Sequence, residues 1–244
     1  MDNLYRQAIT QGQLVFHKQY CLYNDHLVTA FDAGAIRLIQ IEWKQNAVDP
    51  LVSVVFEDGS VFRWSSNWVT PYHYQFGIAA SFDGQYIFLQ SWENGLLCLD
   101  SRTGKKIWRT KSKRGVTNVF VNENSILCHR HEHALQLIDI HTGEVIKEKR
   151  PVKAWGFQAI DHSHVVCQVS ARRWEVIGTE ALDVKAAFSH REFTNGHTDY
   201  VVNRVRLEDK QLIIRGFKNV WDDSVLPPKR LPNLEFEHHL DFDG

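Results

Sequence analysis

The chain has 244 residues, 43% apolar and 23% charged, with 28 Lys and Arg against 29 Asp and Glu. That length and make-up allow one folded domain with a full core, and the near-neutral balance excludes a global field that would favour nucleic acid or an anionic membrane. Eight Trp against one Met favour an aromatic-rich β core over a helical one, and no apolar run reaches the length of a membrane span.

The polar opening, Met1 to Gln7, shows no secretory signal, so a cytoplasmic protein is expected. Strand-like runs follow at Gln13–Phe16, Tyr20–Tyr23 and His26–Phe31. Further on, Asp58-Gly59 and Asn94-Gly95 sit between apolar runs, and both dipeptides tolerate the positive φ of a tight hairpin. Three segments then recur at a spacing of 39 residues: Gly77–Asp83, Val116–Asn122 and Trp155–Asp161. Each ends in a polar turn and leads into an apolar strand, 86–89, 125–128 and 164–167. A strand-built repeat of this period predicts a β-propeller, each unit running from an inner strand through a middle pair to an outer strand. The pattern divides the chain into units 35–76, 77–115, 116–154, 155–193 and 194–230. Residues 1–34 and 231–244 together are expected to close the ring as a sixth blade of four antiparallel strands.

The last segment alternates: Leu234, Phe236, Leu240 and Phe242 are apolar, whereas Glu235, Glu237, Asp241 and Asp243 are acidic. Period two predicts a half-buried strand. Its acidic face, with Asp222 and Asp223 nearby, is either a solvated surface or one that captures a basic partner. Lys105, Lys106, Arg109, Lys111, Lys113 and Arg114 crowd one predicted outer strand and its exit, and Lys147, Lys149, Arg150 and Lys153 follow one unit later. Lysines on an edge strand discourage sheet-to-sheet association. The functional alternative is a basic band for an acidic protein, with nucleic acid disfavoured by the balanced net charge. Trp68, Tyr72, His73 and Tyr74 are aromatics of either core or interface type.

His129, His131 and His133 follow Cys128. On one strand, 129 and 131 share a face, so two or three imidazoles could take zinc or copper; the plainer reading is a polar strand face near a blade edge. The cysteines, Cys21, Cys98, Cys128 and Cys167, form no CxxC pair. Leu89 stands one repeat before Cys128, so this site is expected to be small, buried and apolar.

The stretch Cys98, Asp100, Thr103, Gly104, Trp108 resembles the tryptophan-docking turn of the PQQ-like (quinoprotein alcohol dehydrogenase-like) propeller repeat, Ala-x-Asp-x-x-Thr-Gly-x-x-x-Trp, with Cys98 at the Ala position. A second copy, Asp139, Thr142 and Gly143, carries Lys147 in place of Trp. In physical terms the Asp and Thr oxygens accept from the turn's N–H groups, the Gly takes a left-handed conformation, and the indole packs on the neighbouring blade. The resemblance implies a fold and not a chemistry. The quinone enzymes of that family are longer and exported, and the adjacent Cys-Cys pair many of them carry is missing here, so no PQQ is expected.

No GxSxG, Walker A, HExxH or glycine-rich nucleotide loop occurs. The expectation is therefore a non-enzymatic, cofactor-free, protein-binding propeller, in particular an immunity protein that neutralises a partner bacterial toxin by covering it. The rival is a metal-dependent or small-molecule-binding enzyme using the His129/His131 face or a central pocket.

Overall fold

The computed structural model describes residues 15–17, 20–23, 26–31, 34–42, 49–69, 78–91, 95–110, 115–130, 134–150, 157–170, 173–189, 200–222, 224–227 and 229–242. The chain splits into two compact units, residues 1–131 with 135–148, and residues 132–134 with 149–244. All regular structure among the described residues is β.

The first unit is built on three antiparallel sheets. One has six strands in chain order: β1 (Val15–His17), β2 (Tyr20–Tyr23), β3 (His26–Ala30), β4 (Ile36–Glu42), β5 (Leu51–Phe56) and β6 (Val61–Ser65). The next comprises β7 (Ile78–Ala80), β8 (Tyr86–Ser91), β9 (Gly95–Asp100) and β10 (Lys106–Arg109), and the third β11 (Val116–Val121), β12 (Ser125–Arg130), β13 (Ala134–Asp139) and β14 (Val145–Lys149). Successive strands are neighbours within each sheet, as the short turns between them require.

Why β8 and β9 read as unbroken apolar runs follows from their surroundings. Alternate residues of a strand face opposite sides, and here both sides are covered. Ile87, Leu89, Leu97 and Leu99 pack with Ile39, Val52, Val54 and Trp64 of the first sheet. Phe88, Leu96 and Cys98 face the other way, onto Val116, Ile126, Cys128 and Ile138 of the third. A sheet covered on both faces needs apolar residues at every position, which is what Leu96 to Leu99 supply.

The second unit holds β15 (Phe157–Ala159), β16 (His164–Ser170), β17 (Arg173–Gly178) and β18 (Val184–Ser189) in one sheet. The strands β19 (Tyr200–Glu208) and β20 (Gln211–Lys218) are followed by a small hairpin, β21 (Trp221–Asp222) with β22 (Lys229–Arg230), and then by β23 (Leu234–Asp241). The register of β20 with β23 runs unbroken from Gln211↔Asp241 to Lys218↔Leu234, which makes a three-stranded sheet β19-β20-β23. Val166, Val176 and Phe188 pack against Val205, Leu212, Ile214 and Phe242.

Among the described residues β3 pairs with β4, and β23 pairs with β20. The long apolar β20 offers an edge whose register matches the alternation of β23, and that local match decides the pairing. Leu234, read as inward, is 61% exposed, because it lies at the strand's first position, beyond the covered part of the sheet. The rest of the alternation holds, with Glu235, Glu237 and Asp241 outward and Phe236, Leu240 and Phe242 inward.

Candidate protein-binding surface

The repeat turns set the geometry. Asp100 Oδ1 accepts from the N–H groups of Arg102 (3.1 Å) and Thr103 (2.7 Å) and from the Thr103 hydroxyl (2.6 Å). Asp139 does the same with His141 N–H (2.9 Å), Thr142 N–H (2.8 Å) and the Thr142 hydroxyl (3.0 Å). Gly104 and Gly143 close the turns at φ +68° and +74°. The hydrogen bonds from Thr142, chiefly its backbone N–H, hold the Asp139 carboxyl below the usual aspartate range. A lowered folded-state pKa adds stability above the ordinary aspartate value that is lost as pH falls through the folded value. Asp139→Asn keeps an oxygen acceptor for the turn but removes the titration. It is therefore expected to lower stability at neutral pH towards the acid value of the unaltered protein and so to flatten the acid-side fall, checked by urea melts from pH 3 to pH 7.

Each closing glycine also receives an indole from the preceding sheet. Trp108 Nε1 donates to Ile140 O at 2.9 Å, and its ring lies on Gly143, where an added Cβ would stand 2.6 Å from Cδ2. Trp64 repeats this one sheet earlier: its Nε1 donates to Ser101 O at 2.9 Å and its ring covers Gly104. Sequence reasoning missed Trp64, because its own hairpin lacks the Asp-Thr-Gly turn. The signal was its distance: eight residues after Phe56, as Trp108 stands eight after Asp100. In the third repeat Lys147 replaces the Trp, and in the fourth Leu182 occupies the left-handed position at φ +53°. Glycine stands where an indole arrives.

Trp108 thus pins β10 from its inner side, at 8% exposure, while Ile107 on the outer side is 45% exposed. Lys105, Lys106 and Arg109 are exposed along the same strand and its approach. The Lys106 ammonium lies 4.4 Å from the centre of the Trp68 ring, and the Arg102 guanidinium lies over Phe62 (5.3 Å) and Phe56 (5.7 Å). These contacts extend the basic strand onto the β5–β6 hairpin, an addition the sequence did not signal. Lys111, Lys113 and Arg114 lie outside the described residues, as do Tyr72, His73 and Tyr74.

The acidic strand is partly neutralised within its own sheet. Glu237 pairs with Arg215 and, at 3.0 Å, with His239, and Asp241 accepts from Gln211 at 3.1 Å. The bonds from His239 and Arg215 lower the Glu237 pKa. Glu235 stands exposed, and Asp243 lies outside the described residues.

His129 occupies the interior of β12 with no exposed surface, not an open polar face, since that strand is covered on both sides. His131 and His133 lie outside the described residues. Among the described residues no three His, Cys, Asp or Glu side chains converge as a metal site. Cys128 is fully buried, as the Leu89 equivalence predicts, and so are Cys167 and Cys98. Burial pushes the Cys128 and Cys167 thiols up to about 12, so they stay protonated and unreactive.

The model of the family described as outer membrane protein assembly factor BamB matches residues 42–189, more than half of the chain. The chain belongs to this PQQ-like family. No curated protein sequence matches it. Among solved structures, BamB from Moraxella catarrhalis is similar at 13% identity and a TM-score of 0.52, over 90% of this chain and 62% of that one. The β-propeller domain of Cps50 (Swd1) from Myceliophteria thermophila is similar at 15% identity and a TM-score of 0.50, over 93% and 73%. The N-terminal domain of Nup159 is similar at 12% identity and a TM-score of 0.52, over 84% and 56%. The chain therefore spans less than two thirds of the BamB chain. The fold is that of the PQQ-like β-propellers, with the repeat turns read from the sequence at its joints.

Proposed function

We propose that this propeller is a non-enzymatic binding module whose exposed strand β10 docks on an acidic face of another protein. The observation that carries the reading is the contrast along that strand. Trp108 is locked inward, while Lys105, Lys106, Ile107 and Arg109 stand outward on a backbone that the lock holds still. A rigid display of cations round an apolar residue loses little conformational entropy on binding. The more specific reading is an immunity protein of the cytoplasm, which neutralises a bacterial toxin by covering it. Its support is the basic display together with the absence of any reaction motif from the sequence.

The test is purification from the native host, identification of a stoichiometric partner and titration of that partner with purified protein. Lys105→Glu, Lys106→Glu and Arg109→Glu together are expected to weaken binding by about tenfold or more, with the larger effect at low salt. A toxin partner is expected to lose its activity in the complex. Unchanged affinity of the triple variant would remove β10 from the interface.

A further inference from the structure

We propose that Arg102 anchors the β10 docking surface, as a guanidinium fork held ready to take one carboxylate from the partner's acidic face. The inference deepens the reading of β10 as a docking strand and rests on it. Arg102 itself lies outside the strand, on the turn from β9 to β10.

The backbone there is clamped from both sides. Arg102 N–H donates to Asp100 Oδ1 at 3.1 Å. The preceding Ser101 has no exposed surface; its N–H donates to Gln85 O at 2.9 Å, and its carbonyl accepts from Trp64 Nε1 at 2.9 Å. The exposed side chain is then supported by rings and not by acids. Its guanidinium stands 5.3 Å from the centre of Phe62 and 5.7 Å from that of Phe56, and these two rings meet edge to face. Aromatic contact orients the cation while leaving its N–H groups to another acceptor. Among the described residues the guanidinium makes no hydrogen bond and no ion pair. Arg173, Arg206 and Arg215, by contrast, each pair with a glutamate. Asp58 feels the charge of Arg102, but its Oδ1 accepts from Ser60 N–H at 2.8 Å, and its pKa is lowered chiefly by Ser60.

The turn itself does not ask for an arginine. The equivalent positions of the next two repeats hold His141 and Glu180, and His141 Nδ1 already lies 3.1 Å from the Tyr86 hydroxyl. A cation kept oriented and unpaired loses little freedom when a carboxylate arrives in a two-pronged hydrogen bond. A carboxylate fits better than a phosphate. Phosphate sites gather backbone N–H groups, and here those of Arg102 and Thr103 are both given to Asp100. The charges of Asp100 and Asp58 also oppose a dianion more than a single negative charge. Lys105 and Lys106 supply the neighbouring charge for further acids on the same partner face.

The test follows the Arg102 Nε–H signal of the full chain by nuclear magnetic resonance, identified by its loss in Arg102→Lys. A capped tetraglutamate peptide and inorganic phosphate are titrated separately at equal ionic strength. The peptide is expected to shift the signal to saturation, and phosphate to leave it in place. Arg102→Lys keeps the charge and removes the fork, and is expected to weaken peptide binding, read from the backbone amides of β10, by about tenfold. Phe62→Leu removes a supporting ring and is expected to weaken it by about threefold. An Arg102 signal indifferent to the peptide overturns the proposal. So does peptide affinity unaltered in Arg102→Lys, or a response to phosphate as large as that to the peptide. If the peptide moves the signals of Lys105 and Lys106 and spares Arg102, β10 stands and this anchor is removed. The β10 reading fails separately, when the native partner ignores the triple variant of that strand.

Discussion

Trp108→Ala is expected to destabilise the first unit by about 3–5 kcal/mol, the range for removing a large buried aromatic. Three losses combine. The indole is 8% exposed and packs within the cluster of Phe88, Ile126 and Ile138, with the Phe88 ring 5.9 Å away. Its removal leaves a void between two sheets, and the backbone on either side is tied into hydrogen-bonded ladders that cannot collapse to fill it. The carbonyl of Ile140 loses its donor at 2.9 Å, and a buried acceptor without a partner adds its own cost. Trp108→Phe separates these parts. It keeps much of the packing and loses the hydrogen bond, and a cost of about 1–2 kcal/mol is expected. Urea denaturation followed by circular dichroism measures both. A loss below about 1 kcal/mol for the alanine variant would show that the indole is not what joins these sheets.

Gly143→Ala is the complementary change, and its expected cost is about 3 kcal/mol. A side chain in the left-handed region costs about 1–2 kcal/mol by itself. At Gly143, φ is +74° and the new Cβ would stand 2.6 Å from Trp108 Cδ2. The ring or the turn must move, which costs about 1–3 kcal/mol more in a packed site. Gly59 is the control: its φ is +84°, but nothing lies within 4 Å of an added Cβ. Gly59→Ala should therefore show the backbone cost alone. Because the overlap is with the indole, Trp108→Ala and Gly143→Ala together should cost clearly less than their sum. Additive losses in that cycle would mean that Gly143 is needed for the turn and not for the ring.

These two residues also mark how far the sequence can be read. Asp100, Thr103 and Gly104, and their copies Asp139, Thr142 and Gly143, form turns whose hydrogen bonds join residues at most five apart. Such turns are closed by local chemistry, so composition and spacing predict them. Trp64 was overlooked although it docks as Trp108 does. Its destination is Ser101, 37 residues away, and nothing in its own hairpin names it. The 39-residue period is also displaced there: Trp64 precedes Trp108 by 44 residues, with residues 66–77 separating β6 from β7 where 110–115 separate β10 from β11.

On the candidate surface, the basic residues of β10 were legible because charge on an outer strand has nowhere else to go. The partial neutralisation of the acidic strand was not. Arg215 meets Glu237 through the pairing of β20 with β23, across a separation of 22 residues. His129 illustrates the same limit: alternation places it on one face of its strand but cannot tell whether that face is covered.

By itself the sequence determined the all-β class, the repeat, the conformations of the Asp-Thr-Gly turns and the order of strands in the sheets β7–β10, β11–β14 and β15–β18. All of these follow from backbone preferences and contacts between near neighbours. Only the tertiary structure decided which sheets β3 and β23 join, where Trp64 is received and that His129 is buried. Those outcomes depend on which apolar faces meet and in what register. Alternation along a strand is equally compatible with several such pairings, so burial between distant segments has to choose among them.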